Sequence, residues 1–333
     1  MARASWRAPL KREGQAEAWA GRLVRESRVP DPLDPLTTPG TPAAERSIDE
    51  TLVRQLLRDQ HPDLADAALR PIDSGWDNAM FRLGEEYAVR LPRRELAVAF
   101  LRHEQEWLPG LAQVLPVPVP TPLRTGRPSE RFPWPWSIVP WLPGQTADVA
   151  PPASQQARPL ADFLRALHRP APANAPANGL RGVPLRKRAA DLEARLDRLG
   201  RSTDRITPEI ERVWQRALSA PETTRSDWLH GDLHPRNVLV QEGAITGIVD
   251  WGDVTAGDVA TDLASVWMLL GDAGARDECL RQYGASPEQR ARAEGWAVFF
   301  GAVLLDSGLV DDPRHAAVGE ATLRRLAEDA IRE

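Results

Sequence analysis

Trp228-Leu-His-Gly-Asp-Leu-His-Pro-Arg-Asn-Val-Leu-Val240 is the densest run of chemistry-bearing residues in the chain. Within it Asp232 and Asn237 stand five positions apart, on a loop that leads into the apolar run 238–241. A carboxylate at this spacing can take a proton from an attacking hydroxyl. The carboxamide adds a neutral oxygen ligand for Mg2+. Eighteen residues after Asp232, the strand-like Ile248-Val-Asp-Trp-Gly252 ends on a second carboxylate, Asp250. The Glu242-Gly243 turn between the two runs predicts a hairpin that returns Asp250 to the loop, where a second Mg2+ ligand is needed. Any one of these residues alone reads as a turn or strand cap. Their order on a loop–strand–turn–strand scaffold reads as phosphoryl-transfer chemistry.

Outward from this centre the chain changes character. Residues 67–72, 79–83 and 87–91 read as strands, with Gly84-Glu85-Glu86 as a hairpin turn. A helix is expected over 94–112 and a further strand over 136–141. Before them, Ser47 with Glu50 fits a capping box ahead of Leu52, Val53, Leu56 and Leu57. After Gly144 the periodicity turns helical, over 155–168, 185–199 and 208–219, and again from about Val259. The proline-, alanine- and asparagine-rich stretch 170–179 reads as a loop. The expected architecture is α+β: a β-rich lobe at 47–142, a hinge at 138–142, and a mainly helical lobe at 143–333 that carries the loop 228–240 and the motif 248–252. A cleft between the lobes is the natural ligand site. Residues 1–46, with Pro30, Pro32, Pro35, Pro39 and Pro42 and few large apolar side chains, read as an extension that cannot bury enough surface to offset its ordering entropy.

Composition narrows the partners. The 333 residues are 42% apolar and 27% charged, ordinary for a soluble globular chain. A net charge of −5 gives no global basic field, so nucleic acid and acidic membranes are not expected partners. The single cysteine, Cys279, excludes an intramolecular disulfide framework and a cysteine-rich metal site. The longest apolar run, from Trp296 to Leu305, is half of the roughly 20 residues a membrane span needs, and reads as a buried helix. A cytoplasmic monomer is the default expectation.

His230-Gly-Asp-Leu-His-Pro-x-Asn237 with Ile-Val-Asp-Trp-Gly252 resembles the aminoglycoside phosphotransferase family, whose fold is protein-kinase-like. Ser74-Gly-Trp-Asp-Asn78, Val89-Arg-Leu-Pro-Arg93, Glu104-Gln-Glu-Trp-Leu-Pro109 and the stretch Pro133–Gly144 support it. The resemblance runs from about Ser47 to the C-terminus. It implies Asp232 as the catalytic base or orienting group and Asn237 and Asp250 as Mg2+ ligands. Ser74, Gly75 and Asn78 would lie in the turn over the nucleotide phosphates, and Trp141 and Leu142 at the hinge beside the base of ATP or GTP. His230 and His234 are supporting residues, as is Asp262, which anchors the loop or caps a helix. Arg236 faces either phosphate or solvent.

One departure from the family pattern stands out. Lysine occurs only at Lys11 and Lys187, neither on a strand of the first lobe. Arg90 occupies the strand position of the phosphate-clamping lysine and brings a permanent, forked charge. Its expected partner is Glu104, with Glu106 as fallback; Arg93 is the alternative to Arg90. After Gly252 there is no room for a long activation loop, so a small hydroxylated molecule is the expected acceptor. An antibiotic such as an aminoglycoside or macrolide is implied by the resemblance. Asp253, Asp258, Asp306, Asp311, Asp312 and the C-terminal acidic residues are candidates to meet a cationic one. A metabolic sugar, amino-alcohol or choline-type kinase is the enzymatic alternative, and a nucleotide-binding pseudokinase module the non-enzymatic one.

Overall fold

The short apolar segments between Leu69 and Pro140 form one antiparallel sheet in the computed structural model, which describes residues 44–72 and 77–332. Its strands are β1 (Leu69–Pro71), β2 (Asn78–Leu83), β3 (Tyr87–Pro92), β4 (Arg124–Gly126) and β5 (Trp136–Pro140), in the order β1-β2-β3-β5-β4. Gly84, at φ +58°, closes the β2–β3 hairpin. The register sets Arg90 opposite Met80 on one side and Ser137 on the other, so it lies mid-sheet. Helix α1 (Glu50–Gln60) covers the sheet with Val53, Leu56 and Leu57. Its cap is Asp49, whose Oδ1 accepts the Leu52 N–H at 2.8 Å, and not the expected Ser47. The helix starts at Glu50, so Ser47 lies too far upstream to reach its open amides. Helix α2 (Ala97–Leu111) follows β3.

Beyond the hinge come β6 (Gln145–Thr146), α3 (Ala157–Leu167), α4 (Ala189–Ser202) and α5 (Pro208–Ser219), then β7 (Asp227–Leu229), β8 (Val238–Gln241), β9 (Ala244–Ile248) and β10 (Thr255–Gly257). The chain ends in α6 (Ala260–Leu263), α7 (Ser265–Leu269), α8 (Ala273–Tyr283), α9 (Pro287–Asp311) and α10 (Pro313–Arg332). β6, β8 and β9 make a three-stranded sheet; β7 and β10 make a ribbon. Glu242 and Gly243 both have positive φ, 51° and 79°, as a two-residue hairpin turn of the primed type requires. The architecture is the α+β arrangement expected. Strands β4, β6, β7 and β10 were not, because two or three residues carry no readable periodicity.

Among the described helices α9 alone has the length and hydropathy to cross a membrane, and most of that window is buried inside the fold. Trp296, Phe299, Phe300, Val303 and Leu304 lie in its core, as the apolar run predicted. Trp136 is also core, edge-on to His61, while Trp141 stays partly exposed with the Arg82 guanidinium 3.9 Å above its ring. Most of the expected extension, up to residue 43, lies outside the described residues, as do Ser74 and Gly75.

Candidate active site

The loop from His230 to Asn237 is held from below by one buried carboxylate. Asp262 accepts the His230 N–H at 2.7 Å and the Gly231 N–H at 2.9 Å. It also contacts His168 Nε2 at 3.3 Å. Gly231 is required here: its φ is +86°, and a Cβ would meet the Asp253 carbonyl oxygen at 2.5 Å. His230 braces both motifs at once. Its Nδ1 accepts the Asp232 N–H at 3.2 Å, so its other nitrogen donates to the Val249 carbonyl at 3.0 Å. Asn237 donates to the Asp232 backbone carbonyl at 2.9 Å, and its own carbonyl accepts the Val249 N–H at 2.9 Å. The two motifs read from sequence are therefore stitched together.

Asp232 stands among positive and donor groups. His234 Nε2 lies 3.4 Å from Oδ2, and His234 Nδ1 accepts the Arg236 N–H, which leaves the proton on the nitrogen facing Asp232. Burial pushes the Asp232 carboxyl up, but His234, Arg181 and His230 outweigh it and hold it well below the usual carboxylate range. Arg236, which the sequence offered to phosphate or solvent, is 27% exposed and also has protein partners. It pairs with Asp312 at 2.7 Å and donates to His315 Nε2 at 3.0 Å, because the α9–α10 corner packs against the loop.

Across the cleft, Arg90 is buried and bridges two carboxylates. Its Nη1 meets Glu104 Oε1 at 2.7 Å and its Nη2 meets Asp250 Oδ1 at 3.1 Å. Glu104, not Glu106, is thus the partner, and its Oε1 also accepts the Trp251 N–H at 2.9 Å. Burial drives the Glu104 carboxyl up to about 7, against the pull of Arg90. Asp250 sits in the left-handed region at φ +60°, an unusual conformation for a non-glycine residue. Its side chain is 56% exposed, open to a ligand. Trp251, in the phenylalanine position of the kinase motif, is fully buried against Phe163 and His230.

The nucleotide-side residues are less alike. Asn78 is buried at the start of β2. Trp141 donates its N–H to the Glu86 carbonyl at 2.7 Å and has Arg82 on one ring face, so only its other face is free of that guanidinium. Leu142 packs over Gly247, where a Cβ would come within 2.9 Å of its Cδ1. Two hard oxygen donors, the Asn237 carboxamide oxygen and the Asp250 carboxylate, sit on elements joined by the Val249–Asn237 bond. That donor set suits Mg2+ completed by substrate phosphates. Among the described residues no group of three or more His, Cys, Asp or Glu side chains is placed to hold a metal by itself.

Two residues of this site carried no sequence signal for their roles. Arg181 comes from the segment between α3 and α4 and reaches Asp232 Oδ1 at 3.5 Å. Asp253, offered by the sequence only as part of an acidic region, is half-buried and accepts from Asn178 at 2.8 Å. Burial raises its carboxyl to about 7, helped by the charges of Asp232 and Asp250. Three of the other acidic candidates are engaged elsewhere, while Asp311 is exposed at the end of α9. Asp258 pairs with Arg292 at 2.6 Å, Asp306 with Arg195 and Arg198 at 2.6 and 2.8 Å, and Asp312 with Arg236.

A family model described as phosphotransferase enzyme family matches residues 68–297. The aminoglycoside 3'-phosphotransferase of Escherichia coli is 30% identical over 144 residues, which cover 41% of this chain and 53% of that protein. The chain spans about half the length of the curated relatives it matches. Among solved structures, the GDP complex of wild-type aminoglycoside 2'-phosphotransferase-IIIa is similar at a TM-score of 0.62 and 17% identity, covering 85% of this chain and 99% of that one. Macrolide 2'-phosphotransferase MphH from Brachybacterium faecium follows at 0.55 and 22%, covering 83% and 98%. At such identities the structures speak for the fold alone. The family match is broader: residues 68–297 contain Arg90, Glu104, Arg181, Asp232, Asn237, Asp250 and Asp253, and the chain belongs to the phosphotransferase enzyme family.

Proposed function

We propose that this protein is a Mg2+-dependent kinase that moves the γ-phosphoryl group of ATP or GTP to a hydroxyl of a small molecule of the antibiotic class. The observation that carries this reading is the convergence of Asp232, Asn237 and Asp250 on one stitched loop pair, with Arg90 and Glu104 facing them. The acceptor oxygen attacks the γ-phosphorus in line, the bond from that phosphorus to the bridging oxygen breaks, and the nucleoside diphosphate leaves. The hydroxyl proton passes to the Asp232 carboxylate, which orients the attacking hydroxyl and which its surroundings keep ionised. Asn237 and Asp250 would hold Mg2+, which when bound neutralises charge on the phosphates. Arg90 supplies, from the middle of β3, the permanent charge that a lysine provides elsewhere in the family. Positioning and charge do the catalytic work.

Of the acidic candidates to meet a cationic acceptor, Asp258, Asp306 and Asp312 pair with arginines, whereas Asp253 lies in the site and Asp311 is exposed. The test is transfer of labelled γ-phosphate from ATP and, separately, GTP to a panel of aminoglycosides, macrolides, peptide antibiotics, sugars and amino alcohols. A labelled product that disappears with Asp232→Ala and requires Mg2+ is the expected result. Tight nucleotide binding with no product from any acceptor would sink the reading in favour of a nucleotide-binding module.

A further inference from the structure

We propose that Arg181 is a positioning residue for Asp232: a guanidinium fixed from outside the catalytic loop that holds the carboxylate in place to receive the acceptor proton. The inference rests on the phosphotransfer reading above and goes further by assigning a residue to it that the motifs do not contain.

The argument starts with how the backbone around Arg181 is pinned. Asn178 Oδ1 accepts the N–H groups of Leu180 and Arg181 at 2.9 and 3.2 Å, while its Nδ2 donates to Asp253. Upstream, the Pro176 carbonyl accepts from the Ala256 N–H at 3.1 Å and from Thr255 Oγ1 at 2.8 Å. Downstream, the Gly182 N–H donates to Thr261 Oγ1 at 3.1 Å and its carbonyl accepts the Asp258 N–H at 2.9 Å. Gly182 has φ +67°, and a Cβ there would meet Leu229 Cδ1 at 2.7 Å and Gly257 Cα at 3.0 Å. A segment without helix or strand is thus sewn to the β7–β10 ribbon on both sides of one arginine.

The side chain is 5% exposed, with its guanidinium 5.1 Å from the Phe300 ring centre on α9 and Nη2 3.5 Å from Asp232 Oδ1. A surface ion pair at that distance would mean little. Here the arginine is buried on an anchored segment, so its guanidinium cannot swing into water and holds the partly exposed Asp232 in one place. The other groups around Asp232, namely His230, His234 and Asn237, belong to its own loop and move with it. Arg181 ties that carboxylate to a different part of the helical lobe. Asp253, held by Asn178, is a second, half-buried carboxylate on which the Arg181 charge acts.

The experiment compares the wild-type chain, Arg181→Met, Arg181→Lys and Arg181→Ala with the acceptor that gives turnover. Arg181→Met is expected to lower kcat about 100-fold, the scale of a small misplacement of a reacting group. The nucleotide KM should stay within about twofold, since a positioning residue acts after binding. Arg181→Lys restores part of kcat, and free guanidinium restores part of it to Arg181→Ala but none to Asp232→Asn. The Asp232→Asn/Arg181→Met double variant is no slower than Asp232→Asn alone. A kcat in Arg181→Met equal to wild type overturns the proposal. So does a loss that neither lysine nor guanidinium repairs, which marks a purely structural role. Should Arg181→Met fail to fold, the lysine variant and the guanidinium rescue decide. A wild-type chain that transfers no phosphoryl group overturns the phosphotransfer reading itself, before any variant is compared.

Discussion

Two arginines in this molecule do the same thing in different ways. Arg90 sits between Glu104 and Asp250; Arg181 pairs with Asp232 and acts on the charge of Asp253. In each set desolvation pushes one carboxyl up to about 7, Glu104 in the first and Asp253 in the second. The other carboxylate of each set is the one assigned to chemistry. The sets differ in what they join. Arg90 spans the cleft, from the β-rich lobe to a motif 160 residues away. Arg181 lies within the helical lobe, on backbone bonded to β10 and α6 rather than to the loop it serves. Asp232 is thereby held within one packed unit, whereas Asp250 is held by an arginine from the β-rich part of the chain.

Perturbation should separate the two sets. The largest effect is expected from Asp232→Asn, which removes the proton acceptor and should cut kcat by about 1,000-fold while the fold survives. Steady-state kinetics beside a thermal melt checks it, and a kcat near wild type would falsify the assignment. Next, Arg90→Met leaves the Glu104 carboxyl, 1% exposed, without its guanidinium. A cost of about 3–5 kcal/mol is expected in urea titration, because removing one partner of a buried pair leaves the other uncompensated. The same variant should weaken nucleotide binding, read by calorimetry, whereas Arg181→Met should not; equal losses in both would erase the distinction between the sets. Gly231→Ala forces a left-handed alanine and a contact with the Asp253 carbonyl, and about 1–3 kcal/mol or more of destabilisation should appear in denaturant unfolding.

A smaller effect concerns pH. Glu104 rises from the usual 4.5 to about 7, so the folded state binds more protons than the unfolded one between those values. Its contribution to stability is therefore complete below about pH 4.5 and is lost as pH rises through 7. Asp232 has the opposite sign: its contribution is present at neutral pH and is lost on acidification through its depressed range. Glu104→Gln cannot ionise, and should flatten the fall in Tm between about pH 4.5 and 7. An unchanged slope would show that burial of Glu104 is not what that fall reports. The smallest effect marks the floor of the scale. Arg131 and Asp59 form a 3.7 Å pair with both side chains more than half exposed, and Arg131→Ala should change stability by under about 0.5 kcal/mol.

Much of this was legible in the chain. The His230–Asn237 and Ile248–Gly252 motifs, the β8–β9 hairpin between them and the Pro208–Ser219 helix are local, set by turn residues and apolar period within a dozen positions. The Arg90–Glu104 pairing was expected from the family resemblance, which puts Arg90 at the clamping position and Glu104 on the helix that follows. The helix cap at Asp49 was misread by two residues, since Ser47 offers the same chemistry in a nearby register. The protein partners of Arg236 were missed as well. Nothing near it in sequence announces that residue 312 will arrive beside it.

The sequence by itself determined which atoms can do chemistry here, and their order along two short motifs, because turns and strands of a few residues are governed by neighbours. Only the tertiary structure decided that Arg181 and Asp253 join Asp232, that Arg90 reaches Asp250, and that Asp258, Asp306 and Asp312 are spent on arginines. Those contacts close loops of tens to more than a hundred residues. They are fixed by how the lobes and helices bury their apolar faces, a global sum that leaves no trace beside the residues it brings together.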